Sequence, residues 1–395
     1  MSKKFYQKKA PPRSESFFFT SESVAEGHPD KIADQIADAV LDEVLKQDKY
    51  SRVACEIALG MGYVIVGGEI TTTAWIDVNN LVREVIKEIG YDKPEYGFDC
   101  HTVAVFNTIH EQSPDIDRGV RKTGTKKQGS GDQGFVSGFA CKETKELMPL
   151  PIILAHRLVK RLTEVRKKKI LPFLRPDGKS QITLEYKNGK VSSLSSVVIA
   201  AQHDPDIKIS KLREAIKKEV IKPVCKNYLT KKTKFYINNT GRFVIGGPVA
   251  DCGQTNRKIV VDSYGGTISP GGGGLSGKDP TKVDRSGAYM ARYIAKNIVA
   301  ANLAEKCLVR LAYVIGGTKP TEISTDTFGT SKISEEKLLK IIPKVFDLSP
   351  GGIIRQLNLL RPIYRKTSCF GHFGREDPEF TWEKKDKIKE LLKLI

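Results

Sequence analysis

The sequence lacks the features that mark several common classes of protein. No apolar run approaches the roughly 18 residues of a membrane-spanning helix. The apolar part of the N-terminal segment covers only residues 17–19, whereas the core of a signal peptide has about 7–15 residues. The cysteines stand singly, and no two of them form a CxxC pair. We therefore expect a cytoplasmic protein with reduced thiols, no membrane contact and a loose basic tail at residues 1–16.

Acidic residues are also scarce relative to basic ones, with 46 against 65, and the formal net charge is +19. Much of the excess lies in lysine-rich stretches such as VRKKKI and TKKTK, which have few aromatic residues between the lysines. This pattern favours a solvated lysine surface and no nucleic-acid partner, with RNA or DNA binding as the alternative. A third interpretation is that some of these cations converge on a polyanionic small molecule.

The sequence does contain a repeated order of helix, strands and helix. In the first unit the helix, the strands and the second helix cover residues 28–47, 52–75 and 79–90. In the second unit they cover 150–165, 180–203 and 210–224, and in the third 284–306, 307–329 and 334–345. The helices have apolar residues at helical spacing, and the KNG turn of the middle unit predicts a hairpin. The sequence therefore predicts an α+β fold of three pseudo-symmetric lobes, each a small β-sheet with helices packed on one face.

One polar, glycine-rich segment, residues 111–134, stands outside this repeat. A loop of this length in a compact protein is typical of a mobile lid or of a linker between lobes, and the residues alone do not decide between them. We divide the chain into a basic tail (1–16), an N-terminal lobe (17–115), a lid or linker (116–131), a central lobe (132–245) and a C-terminal lobe (246–395).

The run PGGGGLSGKDP, residues 270–280, contains most of a P-loop. A P-loop needs a serine or threonine after its lysine and a helix that starts there, whereas Asp279 follows Lys278 and Pro280 comes next. A P-loop kinase or ATPase is thereby disfavoured. The glycine amides can still form a nest for an anion, with charge from Lys278 and Lys282 and with Asp284 as a metal ligand. A flexible surface turn is the alternative.

The segment EGHPDK stands directly before the first helix. Pro29 suits the first helical position, so His28 lies at the positive end of the helix, where anions are favoured. Asp30 offers a hard oxygen ligand for Mg²⁺. Taken alone, a histidine in this position is more often a helix cap or a packing residue, and an aspartate such as Asp30 a first-turn acid. In RPDGKSQ, Lys179 stands at the mouth of a predicted turn that enters a strand.

Further charged residues occupy strands and turns. Glu56 and Glu69 lie on predicted strands among apolar and threonine neighbours, where a carboxylate is either an edge-strand charge or a ligand for an ammonium group or a metal. The segment NNTGRFVIGGPVADCGQTNRKIVVD places Arg242, Arg257 and Lys258 beside turns, and Asp251 lies between two glycine-containing bends.

Taken together, these segments resemble the S-adenosylmethionine synthetase family. The resemblance is carried, in family order, by TSESVAEGHPDKIADQIADAVLD, VGGEITTTAW, QSPDI, GSGDQG, LMPLPIILAHRLV, RPDGKSQ, TGRFVIGGPVADCGQTNRKIVVDSYGG, GGGGLSGKDPTKVDRSGAY and GHFGRED. It runs from about residue 17 to about residue 382. GHPDK, GDQG and the glycine run with KDPTKVDRS are specific in combination. The family has a three-lobed pseudo-symmetric fold, which agrees with the repeat.

The resemblance implies a role for each matching residue. Around the phosphates of ATP it places His28, Lys179, Arg257, Lys258 and Lys278. Along the rest of the ATP site it places Asp177, Gly178, Arg242, Phe243, Asp251 and Gly274. At methionine it places Glu69, Gln112, Asp251 and Lys282. It implies Mg²⁺ at Asp30 and at Asp284, K⁺ at Glu56, a further active-site acid at Asp132, and a lid beginning at residues 112–122. It also implies a homodimer that shares its active sites between subunits, with a dimer of dimers as the alternative.

The implied reaction is attack of the methionine sulfur on C5′ of ATP, which expels triphosphate, followed by cleavage of the triphosphate to phosphate and pyrophosphate. A thioether has no proton to lose, so the reaction needs no general base. The sequence departs from the family pattern in three places. LGMG stands in β-rich sequence where KTG is usual, Gly274 stands where bacterial relatives often have alanine, and the lid matches only at its ends.

Overall fold

The computed structural model describes residues 16–112 and 128–395. The predicted tail before Ser16 and most of the predicted lid, up to residue 127, therefore lie outside the described residues. Within the described ranges, no helix is both long enough and apolar enough to cross a membrane.

The described residues form the following strands and helices. The strands are β1 (Ser16–Val24), β2 (Arg52–Gly60), β3 (Tyr63–Thr71), β4 (Ala104–His110), β5 (Gly134–Cys141), β6 (Leu174–Lys187), β7 (Lys190–His203), β8 (Lys234–Ile237), β9 (Gly253–Gln254), β10 (Lys306–Tyr313) and β11 (Glu322–Asp326). The helices are α1 (Pro29–Gln47), α2 (Val78–Ile89), α3 (Leu150–Lys167), α4 (Ile209–Ile216), α5 (Lys222–Cys225), α6 (Ile259–Asp262), α7 (Val283–Ala300), α8 (Glu335–Val345), α9 (Pro350–Gln356) and α10 (Ile388–Leu392).

These strands assemble into three small sheets. The first sheet has the order β4-β3-β2-β9, the second β1-β6-β7-β8 and the third β11-β10-β5. The pairs β3–β4 and β7–β8 are parallel, and the other pairs are antiparallel. Distant parts of the chain share sheets, since β1 pairs with β6, β5 with β10, and β9 with β2. No sheet is therefore built from one continuous stretch of sequence.

Each sheet has a long helix on one face. Helix α1 packs on β2, α3 on β1 and β6, and α7 on β5 and β10. The apolar residues of α1 and α7 join one core that spans the first and third sheets. Most of those of α3 join a separate core with the second sheet, whereas Ile152 and Ile153 belong to the first core. The predicted α+β fold, with small sheets that carry helices on one face, is confirmed, as is the order of helix, strands and helix in all three units.

The opposite faces of the sheets carry exposed apolar side chains. On β3, Val64 and Val66 are buried, whereas Ile65 between them is exposed. On the neighbouring strand β4, the Phe106 side chain is 55% exposed, and Phe135 on β5 is 43% exposed. Side chains alternate between the two faces of a strand, so these residues share the faces that the helices leave uncovered.

The predicted hairpin of the middle unit is confirmed, but the turn predicted before it is not. Asn188 and Gly189 both have positive φ, of 50° and 75°, as a tight hairpin turn requires. The RPDGKSQ segment belongs to β6 instead of forming a turn, with an irregular register up to Gly178. Where the β6–β7 pairing is irregular, side chains make hydrogen bonds in place of the backbone. Arg175 Nε donates to Asp204, and Asp177 accepts from the Gly247 amide.

Candidate active site

The N-terminus of α1 presents a neutral histidine. Pro29 occupies the first helical position, and His28 is the N-cap, whose Nδ1 accepts a hydrogen bond from the Asp30 amide at 3.2 Å. Burial and the charges of Lys258 and Lys179 lower the pKa of His28 to about 3. Since Nδ1 accepts, the proton of the neutral ring lies on Nε2, which is therefore available as a donor.

Asp30 is a buried carboxylate shared by two cations. It accepts from the Gln254 amide at 3.0 Å and from Lys258 Nζ at 2.5 Å, and Arg257 Nη1 lies 3.4 Å from it. Burial opposes ionisation, but the hydrogen bond from Lys258 holds the pKa of Asp30 below its ordinary value. Two positive charges thus meet one negative charge, which leaves a net positive environment beside a helix N-terminus, a setting that favours anions.

Strand β6 contributes three further candidates. Asp177 Oδ2 accepts from the Gly247 amide at 2.9 Å, while its buried Oδ1 has no hydrogen-bond partner, and burial raises the pKa of this carboxyl to about 6. Gly178 is packed so closely that a Cβ there would lie 2.7 Å from Leu162. Lys179 is exposed, and its charge acts on both His28 and Asp177.

The segment after β8 borders the same region. The amide of Phe243 donates to His203 Nε2 at 3.0 Å, which fixes the backbone next to the exposed Arg242. Asp251 is exposed, and its negative charge contributes to the raised pKa of Asp177, so the two carboxylates are neighbours. We call the set His28, Asp30, Lys179, Arg257 and Lys258 the first cation group.

The glycine run does not form a P-loop. Its C-terminal end lies along β2, where Gly277 O accepts from the Cys55 amide at 2.9 Å and Lys278 forms a bridge with Ala54. Asp279 is buried, and its carboxylate accepts from the Val53 amide at 2.7 Å. Helix α7 begins only at Val283, so the lysine belongs to an edge pairing and not to the first turn of a helix.

A second set of charges surrounds the end of the glycine run. Lys278 Nζ lies 2.6 Å from Asp284, and Lys282 Nζ lies 2.6 Å from Asp279. Each lysine here has one carboxylate partner. A Cβ on Gly273 would lie 2.0 Å from Asp284 Cγ, so the glycine is needed for the run to approach this acid. We call Lys278, Lys282, Asp279 and Asp284 the second cation group.

Four further candidates belong to neither group. Glu69 pairs with His110 across β3 and β4, and its carboxylate lies 4.0 Å from the imidazole. Gln112 follows β4, and its amide donates to Thr71 Oγ1 at 3.2 Å, which brings it to the same end of β3 as Glu69. Asp132 is exposed in the loop before β5. Glu56 on β2 accepts a hydrogen bond from the Thr255 hydroxyl.

The structure thus brings many of the predicted charged residues together in two groups. Among residues 16–112 and 128–395, no ion pair joins the first cation group to the second. Sequence reasoning found every member of both groups except Asp279, but could not assign them to one group or the other.

Sequence reasoning missed an acidic face on α1. Asp30, Asp34, Asp38 and Asp42 follow one another at intervals of four residues, and Asp34 and Asp38 are as buried as the apolar face. Asp34 accepts from the Asn256 amide and Asp38 from the Gly277 amide, both at 2.9 Å, and Asp42 accepts from two later backbone amides. The four-residue spacing was the available signal, since it puts these residues on one helical face.

The two predicted magnesium ligands, Asp30 and Asp284, fit a magnesium site only in part. No group of three or more metal-ligating side chains occurs in the described portion of the chain. Asp30 and Asp284 are single hard oxygen ligands, each now held by a lysine. Mg²⁺ usually binds one or two carboxylates together with substrate phosphates, so these residues fit that mode and not an all-protein cage.

Three family models match the chain in succession. The N-terminal domain of S-adenosylmethionine synthetase matches residues 16–114, the central domain residues 127–243 and the C-terminal domain residues 245–384. Together they account for almost all of the described residues, and they contain every member of both cation groups. The chain therefore belongs to the S-adenosylmethionine synthetase family, and its activity is that of a methionine adenosyltransferase, which makes S-adenosylmethionine from ATP and methionine.

Proposed function

We propose that the methionine sulfur attacks C5′ of ATP and expels the whole triphosphate, which is then cleaved to phosphate and pyrophosphate. The observation that carries this proposal is the charge balance at Asp30, where one buried carboxylate serves both Arg257 and Lys258 beside Lys179. Such an excess of positive charge suits a polyanionic leaving group.

The leaving group is the difficult part of this reaction. The sulfur carries no proton and attacks directly, whereas the departing oxygen gains charge on a group that is already multiply anionic. Positively charged donors aimed at that oxygen and its neighbours lower the barrier, and one such donor typically contributes about 3–4 kcal/mol. We assign Lys179, Arg257, Lys258 and Lys278 to this role. Alignment of sulfur with C5′ supplies much of the rest.

His28 is assigned to the bridging oxygen between C5′ and the triphosphate. Its pKa of about 3 keeps the imidazole neutral near pH 7, with the Nε2 proton free to be donated. A neutral donor at this position stabilises the developing charge without having to lose a proton itself.

The other candidates are assigned to the adenosine and to methionine. Asp177, Gly178, Arg242, Phe243, Asp251 and Gly274 would line the rest of the ATP site, and Glu69, Gln112, Asp251 and Lys282 would hold methionine. The product is a sulfonium cation, which the exposed carboxylate of Asp132 would stabilise.

The family needs metal ions, and we propose Mg²⁺ and K⁺. Asp30 and Asp284 would hold Mg²⁺ together with the phosphates, and Mg²⁺ would supply charge neutralisation on the triphosphate oxygens. Glu56 would take part in the K⁺ site.

We further propose a homodimer in which both subunits contribute to each active site, with a dimer of dimers as the open alternative. The exposed apolar sheet faces around Phe106 and Phe135 support a partner surface. The proposed lobes remain 17–115, 132–245 and 246–395, with the lid at 116–131. We place the protein in the cytoplasm, where its seven free cysteines stay reduced.

The reaction can be tested with purified protein, ATP, methionine, Mg²⁺ and K⁺. The proposal predicts S-adenosylmethionine, phosphate and pyrophosphate in equal amounts and no ADP. A product mixture with ADP would indicate transfer of a single phosphoryl group, as in a kinase or ATPase. Free triphosphate released without phosphate would contradict the proposed second step.

A further inference from the structure

Asn256 connects the segments that carry the two cation groups. It precedes Arg257 and Lys258 of the first group, and its φ of +63° is in the left-handed region. Its backbone amide donates to Asp34 Oδ1 at 2.9 Å, and Lys31 holds the other oxygen of that carboxylate at 2.9 Å. The backbone of Asn256 is therefore fixed to the acidic face of α1.

The Asn256 side chain reaches the glycine run. Its Oδ1 accepts from the amides of Leu275 and Ser276 at 2.8 and 2.9 Å, and its Nδ2 donates to the Ser276 carbonyl at 3.1 Å. One amide group thus makes three hydrogen bonds to the backbone that leads into Lys278. Glycine-rich backbone has many accessible conformations, so these bonds select one of them.

The residue at position 274 leaves room for this side chain. A Cβ on Gly274 would lie 2.3 Å from Asn256 Cγ and 2.5 Å from Asn256 Cβ, which is closer than carbon atoms can approach. An alanine at 274 would therefore force the Asn256 side chain away from Leu275 and Ser276. Asn256 and Gly274 are therefore a matched pair.

We propose that Asn256 is a positioning residue, which fixes the backbone of the glycine run that leads into Lys278, and that Gly274 is required for it to do so. The inference rests on the proposed role of Lys278. Helix α1 provides the common support, because Asp34 holds Asn256 and Asp38 holds the Gly277 amide at 2.9 Å. The glycine run then binds phosphate with little loss of conformational freedom.

The test is a double-mutant cycle on steady-state kinetics. Asn256→Gly removes the side chain and tolerates the positive φ. Loss of its hydrogen bonds should lower kcat/KM for ATP about tenfold, mainly through a higher KM for ATP, with the KM for methionine unchanged. Gly274→Ala displaces the same side chain and should cost a similar factor. The double variant should resemble Asn256→Gly alone, because the second change then removes nothing further.

Independent losses would instead multiply to about a hundredfold in the double variant, and that result would overturn the inference, as would unchanged kinetics in Asn256→Gly. Thermal melting and active-site titration separate a misfolded fraction from a change in KM. If Gly274→Ala fails to fold, Asn256→Asp decides the question, since it keeps the two acceptor bonds and should recover part of the loss. If the kcat/KM of Asn256→Asp for ATP were no higher than that of Asn256→Gly, the positioning role of Asn256 would be contradicted.

Asn188→Gly is the matched control, because Asn188 also has positive φ but lies in an exposed hairpin turn. It should leave both KM values at the wild-type level. Failure of this inference is distinguishable from failure of the proposed function. Additive losses in the double-mutant cycle would disprove the positioning role of Asn256, but Lys258 and Lys278 would still be needed for turnover. Wild-type activity in Lys258→Ala and Lys278→Ala would instead remove the function on which the inference rests.

Discussion

The two cation groups balance their charges in different ways. In the first, Arg257 and Lys258 share Asp30, so positive charge exceeds negative charge before any ligand binds. In the second, Lys278 pairs with Asp284 and Lys282 with Asp279, one to one. The first group can attract an anion without breaking a pair, whereas the second must exchange a carboxylate for it.

Burial sharpens this contrast. The Arg257 side chain is 48% exposed and Lys258 21%, whereas Lys282 is 9% exposed and its partner Asp279 is fully buried. Removing one member of a buried pair leaves an uncompensated charge, while removing a shared cation leaves Asp30 with another partner. Substitutions in the first group should therefore report on function, and substitutions at Asp279 or Lys282 should report on stability as well.

The largest effect should come from Lys258→Ala. Loss of a cation aimed at the leaving group should lower kcat about 10²–10³-fold with little change in melting temperature, since Arg257 still neutralises Asp30. Initial rates of S-adenosylmethionine formation measure the effect, and Lys187→Ala, on the exposed end of β6, is the control. A Lys258→Ala enzyme with wild-type kcat would remove the first group from the chemistry.

Lys278→Ala should have the next largest effect, a fall in turnover of about 10–10²-fold. It should be milder than Lys258→Ala because the wild-type lysine must first leave Asp284, and that cost offsets part of its gain. The ratio of the two kcat values sharpens the comparison between the groups. Near-normal turnover in Lys278→Ala would exclude this lysine from the phosphate site.

Glu69→Ala should act on methionine alone. The Glu69 carboxylate lies in neither cation group, and its proposed role is to hold the methionine ammonium, so its loss should raise the KM for methionine about tenfold. The KM for ATP, measured in the same series, should stay constant. An unchanged methionine KM would show that Glu69 only pairs with His110 across the sheet.

The smallest effect concerns pH. Because the folded-state pKa of His28 is about 3, the imidazole stays neutral from about pH 6 to pH 8 and takes up a proton only at far lower pH. His28→Asn should therefore lower turnover but leave the shape of the kcat profile in this range unchanged. Loss of a limb near pH 6.5 in the variant would show that His28 titrates in the working enzyme.

Local patterns in the sequence were enough for the elements of the fold. The apolar stripe of α1, Pro29 at its first position and the Asn188–Gly189 hairpin were all predictable, because each depends on neighbours in the sequence. The pairing of β1 with β6 was not, since Ser16 lies opposite Lys187 and no local pattern encodes a partner so far away. The sheet faces that no helix covers could not be predicted from the sequence either.

The site was predictable in its residues but not in its grouping. Asp279 and Pro280 after Lys278 disfavoured a P-loop in the sequence. The pairing of Lys278 with the edge of β2 agrees with that prediction. The acidic face of α1 was missed because an aspartate at every fourth position is also typical of a solvated helix face. Its partners, the amides of Asn256 and Gly277, come from loops whose positions depend on the assembled fold.

The central claim is that these cations bind a triphosphate, and calorimetry with inorganic triphosphate and Mg²⁺ tests it most directly. The wild-type protein should bind triphosphate, and Lys258→Ala should bind it at least about tenfold more weakly, with Lys278→Ala affected less. Equal affinity for triphosphate in the wild type and in both variants would contradict the account.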